Sequence, residues 1–114
     1  MLSSLADERA AAEISKVELV PLTPFTVTSR QRLSRILKHV RTAGYAVNDR
    51  ELRADLRAIA VPVRNRAGAV VAAMCMSGPA AIIRSAGTAT SYLPILRAAA
   101  ARLGRQLPLA LAPM

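Results

Sequence analysis

The most regular pattern of apolar and polar positions lies between residues 28 and 44. Four apolar residues recur there at i, i+3, i+4 and i+7, the spacing of one helical face. They are Leu33, Ile36, Leu37 and Val40. Thr28 and Gln31 have capping-box spacing, which predicts the start of a helix, and Gly44 predicts its end.

Helical patterns also occur near both ends of the chain. The first predicted helix covers about residues 4–15, and the last lies within residues 90–104. Pro94 falls in the first turn of the last helix, where its missing N–H is tolerated, and Gly104 is expected to end that helix. The apolar stripe of the last helix consists of Leu93, Leu96, Ala100 and Leu103.

Between Gly44 and the last helix, the pattern changes to that of β-strands. Residues 45–48 predict a short strand, and residues 56–64 and 69–77 predict two longer ones. The four residues "NRAG" between the long strands have the length of a hairpin connection. Pro62 predicts an irregular position or an unpaired edge in the first long strand.

The predicted order is helix, helix, strand, strand, strand, helix. It indicates an α+β fold in which helices pack on an antiparallel sheet. So thin a domain is expected to expose a sheet edge, and the chain is therefore expected to be incomplete at its N-terminus.

The two long strands also predict a face of small side chains. On the first strand this face contains Leu56, Ala58, Ala60 and Pro62, and on the second it contains Ala73, Cys75 and Ser77. Neighbouring strands with compact side chains on one face would leave room for a small ligand. The sequence leaves open the alternative that helices fill this volume.

Composition limits the classes of function. The 114 residues make one domain, and 53% hydrophobic with 3% aromatic residues predicts an aliphatic core. No apolar run is long enough for a membrane span, and no signal peptide is recognisable, so a cytoplasmic location is expected. The net charge of +9 allows a nucleic-acid partner, although the arginines are dispersed and form no recognition motif.

Catalytic chemistry has little support in the sequence. His39 and Cys75 are the only histidine and cysteine, so no metal site and no cofactor are expected. His39 has no carboxylate nearby in sequence to orient it as a base. Cys75 lies in an apolar strand, where a buried and unreactive thiol is expected. The chain is therefore predicted not to be an enzyme.

A set of motifs resembles the effector-binding domain of the IclR family of bacterial transcription regulators. The motifs are "L..VR..GYA" followed by "D.EL", then "L.AIAVPV", then "G.VVAA" in a strand ending at a serine, and "LP.LR.AA..L". The segment "PLTPFTVTSRQRL" is most similar to the branch that governs aromatic-acid catabolism. The resemblance implies a GAF-like sensor domain with its ligand, a small organic acid, on one side of a curved sheet.

The resemblance also implies which positions contact the ligand. The matching residues here are Asn48, Leu56, Ala58, Cys75 and Ser77. Asp55 occupies a position that is commonly glycine in the family, where Asp would adopt the backbone shape only reluctantly.

Family members associate into dimers or tetramers through this domain and contact DNA through a separate winged helix-turn-helix, which is expected to lie outside this chain. Residues 1–107 would then form a partial effector-binding domain, and residues 108–114 a frayed tail. The alternative is a truncated, ligand-free oligomerisation module. A nucleic-acid binder and a small hydrolase are the remaining alternatives.

Overall fold

The structure, a computed structural model, describes residues 7–108. Within them the chain forms α1 (Asp7–Ser15), α2 (Arg30–Ala43), β1 (Ala46–Asp49), β2 (Leu56–Arg64), β3 (Val70–Pro79), α3 (Ala86–Thr90) and α4 (Leu93–Gln106). The predicted α+β class and element order are confirmed, with the short helix α3 added. The predicted start of the first helix at Ser4 and residues 109–114 of the predicted tail lie outside the described residues.

The three strands form one antiparallel sheet in the order β1-β2-β3, with β2 in the centre. The hairpin predicted at residues 65–68 is confirmed. The Asn65 side-chain oxygen accepts hydrogen bonds from the amides of Ala67 and Ala69, both at 3.0 Å, and Gly68 supplies a φ of 85°. The side chain of Asn65 thereby satisfies backbone donors inside the turn and fixes the register of the two long strands.

Pro62 lies where a proline disturbs the sheet least. Pairing between β1 and β2 ends at Ala46, opposite Ala60, so Pro62 lies beyond the end of β1. The register between β2 and β3 shifts one residue later, between Val63 and Arg64. Both features agree with the predicted unpaired or irregular position.

The core lies on one face of β2. Ile59, Val61 and Val63 are almost completely buried there. Leu96 and Ala100 of α4 belong to the same buried cluster. Each fully buried side chain of this size stabilises the fold by about 1.5–3 kcal/mol relative to an exposed one, so the packing of α4 on β2 is a main source of stability.

The second helix ends as predicted but begins one residue later than the capping box suggested. Ser29, and not Thr28, is the N-cap, and its hydroxyl oxygen accepts a hydrogen bond from the Arg32 amide at 3.2 Å. At the other end Gly44 adopts the left-handed conformation with φ 78°, and its amide donates to the Val40 carbonyl at 2.8 Å.

The prediction that Gly104 ends the last helix is wrong. Helix α4 continues to Gln106, and Gly104 is buried inside it. A Cβ atom built on Gly104 would lie 2.0 Å from the Arg64 carbonyl oxygen. Gly104 therefore permits close contact between α4 and the end of β2, and Leu103, 37% exposed, lies outside the buried stripe.

Candidate functional site

The face of the sheet opposite α4 carries the residues predicted to bind a ligand. Asn48 on β1 pairs with Ala58 on β2, and Ala58 pairs in turn with Ser77 on β3. Residues that pair directly across antiparallel strands point their side chains to the same side of the sheet. These three side chains therefore form one row across the whole sheet, which we call the central row.

The neighbouring rows complete this face. Ala60 pairs with Cys75 on one side of the central row, and Leu56 pairs with Pro79 on the other. Cys75 and Ser77 are exposed, whereas Ala58 is only 8% exposed and lies between its neighbours. All five predicted residues thus lie on one face, which we call the open face, with Ala58 as its floor.

The helices that pack closely on β2, α3 and α4, lie on the face opposite the open face. The buried residues of α3 and α4, including Ala89 and Leu96, cluster with Ile59 and Val61 on the opposite face of β2. The expectation that Cys75 is buried is wrong for the same reason, since its strand position points to the uncovered face. The alternation of small residues had correctly predicted which side chains share a face.

The side chain of Asn48 is held in one orientation by a local turn. Its oxygen accepts a hydrogen bond from the Glu51 amide at 3.0 Å. The side-chain nitrogen makes no hydrogen bond within residues 7–108, so its two N–H groups remain available as donors. A fixed amide with free donors at the edge of the open face is suited to a carboxylate or hydroxyl group.

The polar bend after β1 forms the rim of the open face and is fastened by the preceding connector. The Thr23 hydroxyl donates to the Arg50 carbonyl at 2.6 Å, and Thr26 donates to the Glu51 carbonyl. The Arg50 guanidinium stacks on the ring of Phe25, with 3.8 Å between the guanidinium carbon and the ring centroid.

The strained backbone position in this bend is not the one expected from the family pattern. Arg50, with φ 62°, is the one non-glycine residue with positive φ among those described, and Asp55 does not have such a conformation. The Asp55 carboxylate instead pairs with Arg53 through two hydrogen bonds of 3.0 and 2.9 Å. The glycine-like requirement at Asp55 is therefore absent from this chain.

A buried arginine next to the central row was missed by the sequence reasoning. Arg57 is 8% exposed and lies on the core face of β2, opposite Asp49. Its Nε donates to Asp49 at 2.7 Å, and its Nη1 donates to the Ile83 carbonyl at 2.8 Å. Arg57 thus connects the end of β1 to the segment that follows β3.

The same contacts change the acidity of Asp49. The hydrogen bond from Arg57 is the main cause that lowers the pKa of Asp49 below its usual value; burial acts in the opposite direction, and Arg50 lowers the pKa further. Opposite charges in neighbouring strands, at positions 49 and 57, were the available signal for this pair.

No group of three or more metal-ligating side chains occurs within the described residues. In the same part of the chain, no helix has the length and apolar character required to cross a membrane.

Comparison with known proteins gives a family match over most of the chain. The family described as bacterial transcriptional regulator IclR C-terminal matches residues 1–105. The Pca regulon regulatory protein of Pseudomonas putida is 31% identical over 107 residues, which cover 94% of this chain and 37% of that protein. The p-hydroxybenzoate hydroxylase transcriptional activator of Acinetobacter baylyi is 39% identical over 79 residues, covering 68% of this chain and 29% of that protein.

A solved structure shares the fold. The inducer-binding domain of the PobR transcription factor from Acinetobacter, crystallised as a double mutant with 3-hydroxybenzoic acid, matches with a TM-score of 0.86 and 31% identity. The match covers 93% of this chain and 61% of that chain. This chain spans about a third of the length of the curated relatives it matches, 37% and 29% for the two regulators above.

Proposed function

The chain belongs to the IclR family of bacterial transcriptional regulators, and we propose that it serves as the effector-sensing part of a regulator of catabolic genes. The ligand would be a small organic acid, and the binding surface would be the open face. The observation that supports this proposal is the central row, which places a fixed amide and a hydroxyl on either side of a small floor residue. Members of this family regulate transcription and are not enzymes, in agreement with the sequence-based prediction.

The spacing of the central row suits a flat acid with polar groups at opposite ends. Asn48 and Ser77 are separated by one strand, so their backbones lie about 10 Å apart. An aromatic ring could lie over Ala58, with one polar end at the Asn48 amide and the other at the Ser77 hydroxyl. Leu56 and Cys75 would limit the ring on its two sides.

An aromatic hydroxy acid is the ligand class we favour. The PobR inducer-binding domain was crystallised with 3-hydroxybenzoic acid, and another relative is named as an activator of p-hydroxybenzoate hydroxylase. In this chain the amide of Asn48 can donate to a carboxylate, whereas an acidic residue at that position would repel one.

A concavity near the bend is less suited to an acid. It has a volume of about 320 Å³ and is lined by Phe25, Val27, Arg32, Ile36, Asp49 and Glu51. Its lining carries two carboxylates, Asp49 and Glu51, against one arginine, Arg32, whereas the five predicted residues of the open face include no acid. This electrostatic difference favours the open face.

The remaining parts of the proposal concern partners. Self-association into dimers or tetramers through this domain, and a cytoplasmic location, would follow from membership in the family. DNA recognition would belong to a winged helix-turn-helix in another segment of a longer protein.

Calorimetric titration with 4-hydroxybenzoate, 3-hydroxybenzoate, protocatechuate and a short aliphatic acid tests the proposal. Replacing Ser77 with Ala removes one hydrogen bond to a charged or polar ligand and should weaken binding about tenfold. Asn48→Asp should weaken it by at least as much, because it adds a like charge. Ser34→Ala is the matched control, since Ser34 is a half-buried residue of α2 and is not on the sheet strands.

The outcomes separate the proposal from its alternative. Equal affinities for Ser77→Ala and wild type would remove Ser77 from the site. Self-association measured by light scattering, without any acid raising the melting temperature, would favour a ligand-free oligomerisation module instead.

A further inference from the structure

A cavity at the far end of the sheet, away from the central row, has no assigned role. It lies between α4, the C-terminal end of α2 and the β2–β3 hairpin, and its volume is about 350 Å³. Part of its lining is apolar or small, including Pro62, Ala100, Ala101 and Gly104. A volume in this range is sufficient for a small organic molecule.

Among the described residues, the charged part of the lining consists of arginines. Arg64 and Arg66 come from the hairpin, and Arg97 and Arg105 come from α4. None of the described lining residues is Asp or Glu. These residues are dispersed in the sequence, and the packing of α4 on β2 brings them to one opening.

Two of these arginines are held in place by backbone carbonyls. Nη2 of Arg97 donates to the Ala43 carbonyl at 3.2 Å, and Nη1 of Arg64 donates to the Gly68 carbonyl at 3.0 Å. A guanidinium has five N–H groups, so each of these side chains keeps donors for another partner. Such anchoring reduces the conformational entropy that a ligand would have to remove on binding.

The other two arginines have no partner in the described part of the chain. Arg66 and Arg105 form no hydrogen bond or ion pair within residues 7–108. Several positive charges around one concavity with an apolar floor raise the local concentration of anions. Arginine also presents paired N–H groups that match carboxylate and phosphate oxygens.

We propose that this cavity binds a small organic polyanion, a molecule with at least two carboxylate or phosphate groups on a compact body. The anionic groups would contact Arg66 and Arg105 together with the anchored Arg64 and Arg97, and the body would lie against Ala100 and Ala101. This site is separate from the open face, and the proposal does not depend on aromatic-acid binding there.

Titration of the 114-residue chain with citrate and with pyrophosphate tests the site and distinguishes the two anionic groups. The double variant Arg66→Gln/Arg105→Gln removes two charges that form no hydrogen bond or ion pair with the rest of residues 7–108. We expect its affinity for the preferred anion to fall about tenfold or more, a change of about 1.4 kcal/mol. Arg84→Gln is the control, because Arg84 is also exposed and without a partner among residues 7–108, but is not in the cavity lining.

Several results would overturn this inference. The first is the absence of saturable binding of both anions at millimolar concentration. The second is an equal loss of affinity in Arg84→Gln, which would indicate a general effect of charge. A third is binding of a short DNA duplex, lost in the double variant, without any displacement by citrate or pyrophosphate. Melting temperatures within the error of wild type confirm that the variants remain folded.

A competition experiment keeps this site distinct from the proposed function. We expect 4-hydroxybenzoate not to displace citrate, because the two molecules would occupy opposite ends of the sheet. Displacement of citrate from the wild-type chain that is retained in Ser77→Ala would instead place 4-hydroxybenzoate in the arginine cavity and refute the open face as the aromatic-acid site.

Discussion

Replacing Gly104 with Ala should destabilise the protein, although Ala is the better helix former. The position lies inside α4, where it crosses the end of β2. An added Cβ would lie 2.0 Å from the Arg64 carbonyl oxygen and 3.1 Å from the Arg64 carbonyl carbon. Neither neighbour is the flexible end of a side chain, so the helix and the strand themselves have to move.

The size of the effect follows from two opposing contributions. Relief of the contact requires a separation of about 1 Å or more between α4 and β2, which disturbs the buried cluster around Val61 and Ala100. Overpacking of this kind costs about 1–3 kcal/mol, and the higher helix propensity of Ala returns up to about 1 kcal/mol. We expect a net loss of about 1–2 kcal/mol in the free energy of unfolding.

Urea unfolding followed by circular dichroism measures this loss directly. The matched control is Gly87→Ala in α3, where an added Cβ meets only the Ser85 hydroxyl at 3.6 Å, an ordinary contact. Gly87→Ala should leave stability unchanged or raise it slightly. An unfolding midpoint for Gly104→Ala at or above that of wild type would show that the close contact between α4 and β2 is wrong.

Three further predictions concern other contacts. Arg57→Met should lower the free energy of unfolding by about 2–3 kcal/mol, because the Ile83 carbonyl and Asp49 both lose a donor, and an unchanged urea midpoint would contradict this. Because Arg57 lowers the pKa of Asp49, the stability that the Asp49 carboxylate provides is complete above about pH 4 and is lost as pH falls through the lowered pKa. The urea midpoint of Asp49→Asn should therefore fall less steeply with acid than that of wild type. Ser29→Ala should cost about 1 kcal/mol and Thr28→Ala much less, and the reverse order would restore the capping box predicted from the sequence.

Most of the fold could be predicted because its helix ends, turns and strand faces are set by residues close together in sequence. The stripe ending at Gly44 and the turn at residues 65–68 each depend on residues close together in sequence, and both are confirmed. The hairpin then fixes which residues of β2 and β3 are paired. Strand alternation was consequently sufficient to place Ala58 and Ser77 on the same face.

The errors arose where one residue type serves two purposes. A glycine near a helix end can terminate the helix or permit close packing, and only the position of the Arg64 carbonyl decides the matter for Gly104. Similarly, Thr28 and Ser29 are both acceptable N-caps by type, and the backbone conformation selects the second. A choice between such alternatives requires the tertiary arrangement.

The burial of Arg57 and the arginine cavity were beyond prediction for a different reason. Burial of Arg57 depends on the Ile83 carbonyl, which lies 26 positions later in the chain. The arginine cavity depends on α4 meeting the hairpin, with Arg66 and Arg97 far apart in sequence. Contacts between residues so far apart in sequence leave no periodic pattern of apolar and polar positions from which they could be predicted.

The position of β3 at the side of the sheet has a consequence for its backbone. In the part of the chain described, β3 pairs with β2 alone. Just beyond the end of β3, the Ala80 amide donates to the Asp55 carbonyl on the β2 side. Alternate residues of an antiparallel strand direct their amides to opposite sides, so those of Ala73, Cys75 and Ser77 point away from β2. In hydrogen–deuterium exchange, slowly and rapidly exchanging backbone amides should therefore alternate along β3. The rapidly exchanging amides should belong to the residues whose side chains line the open face.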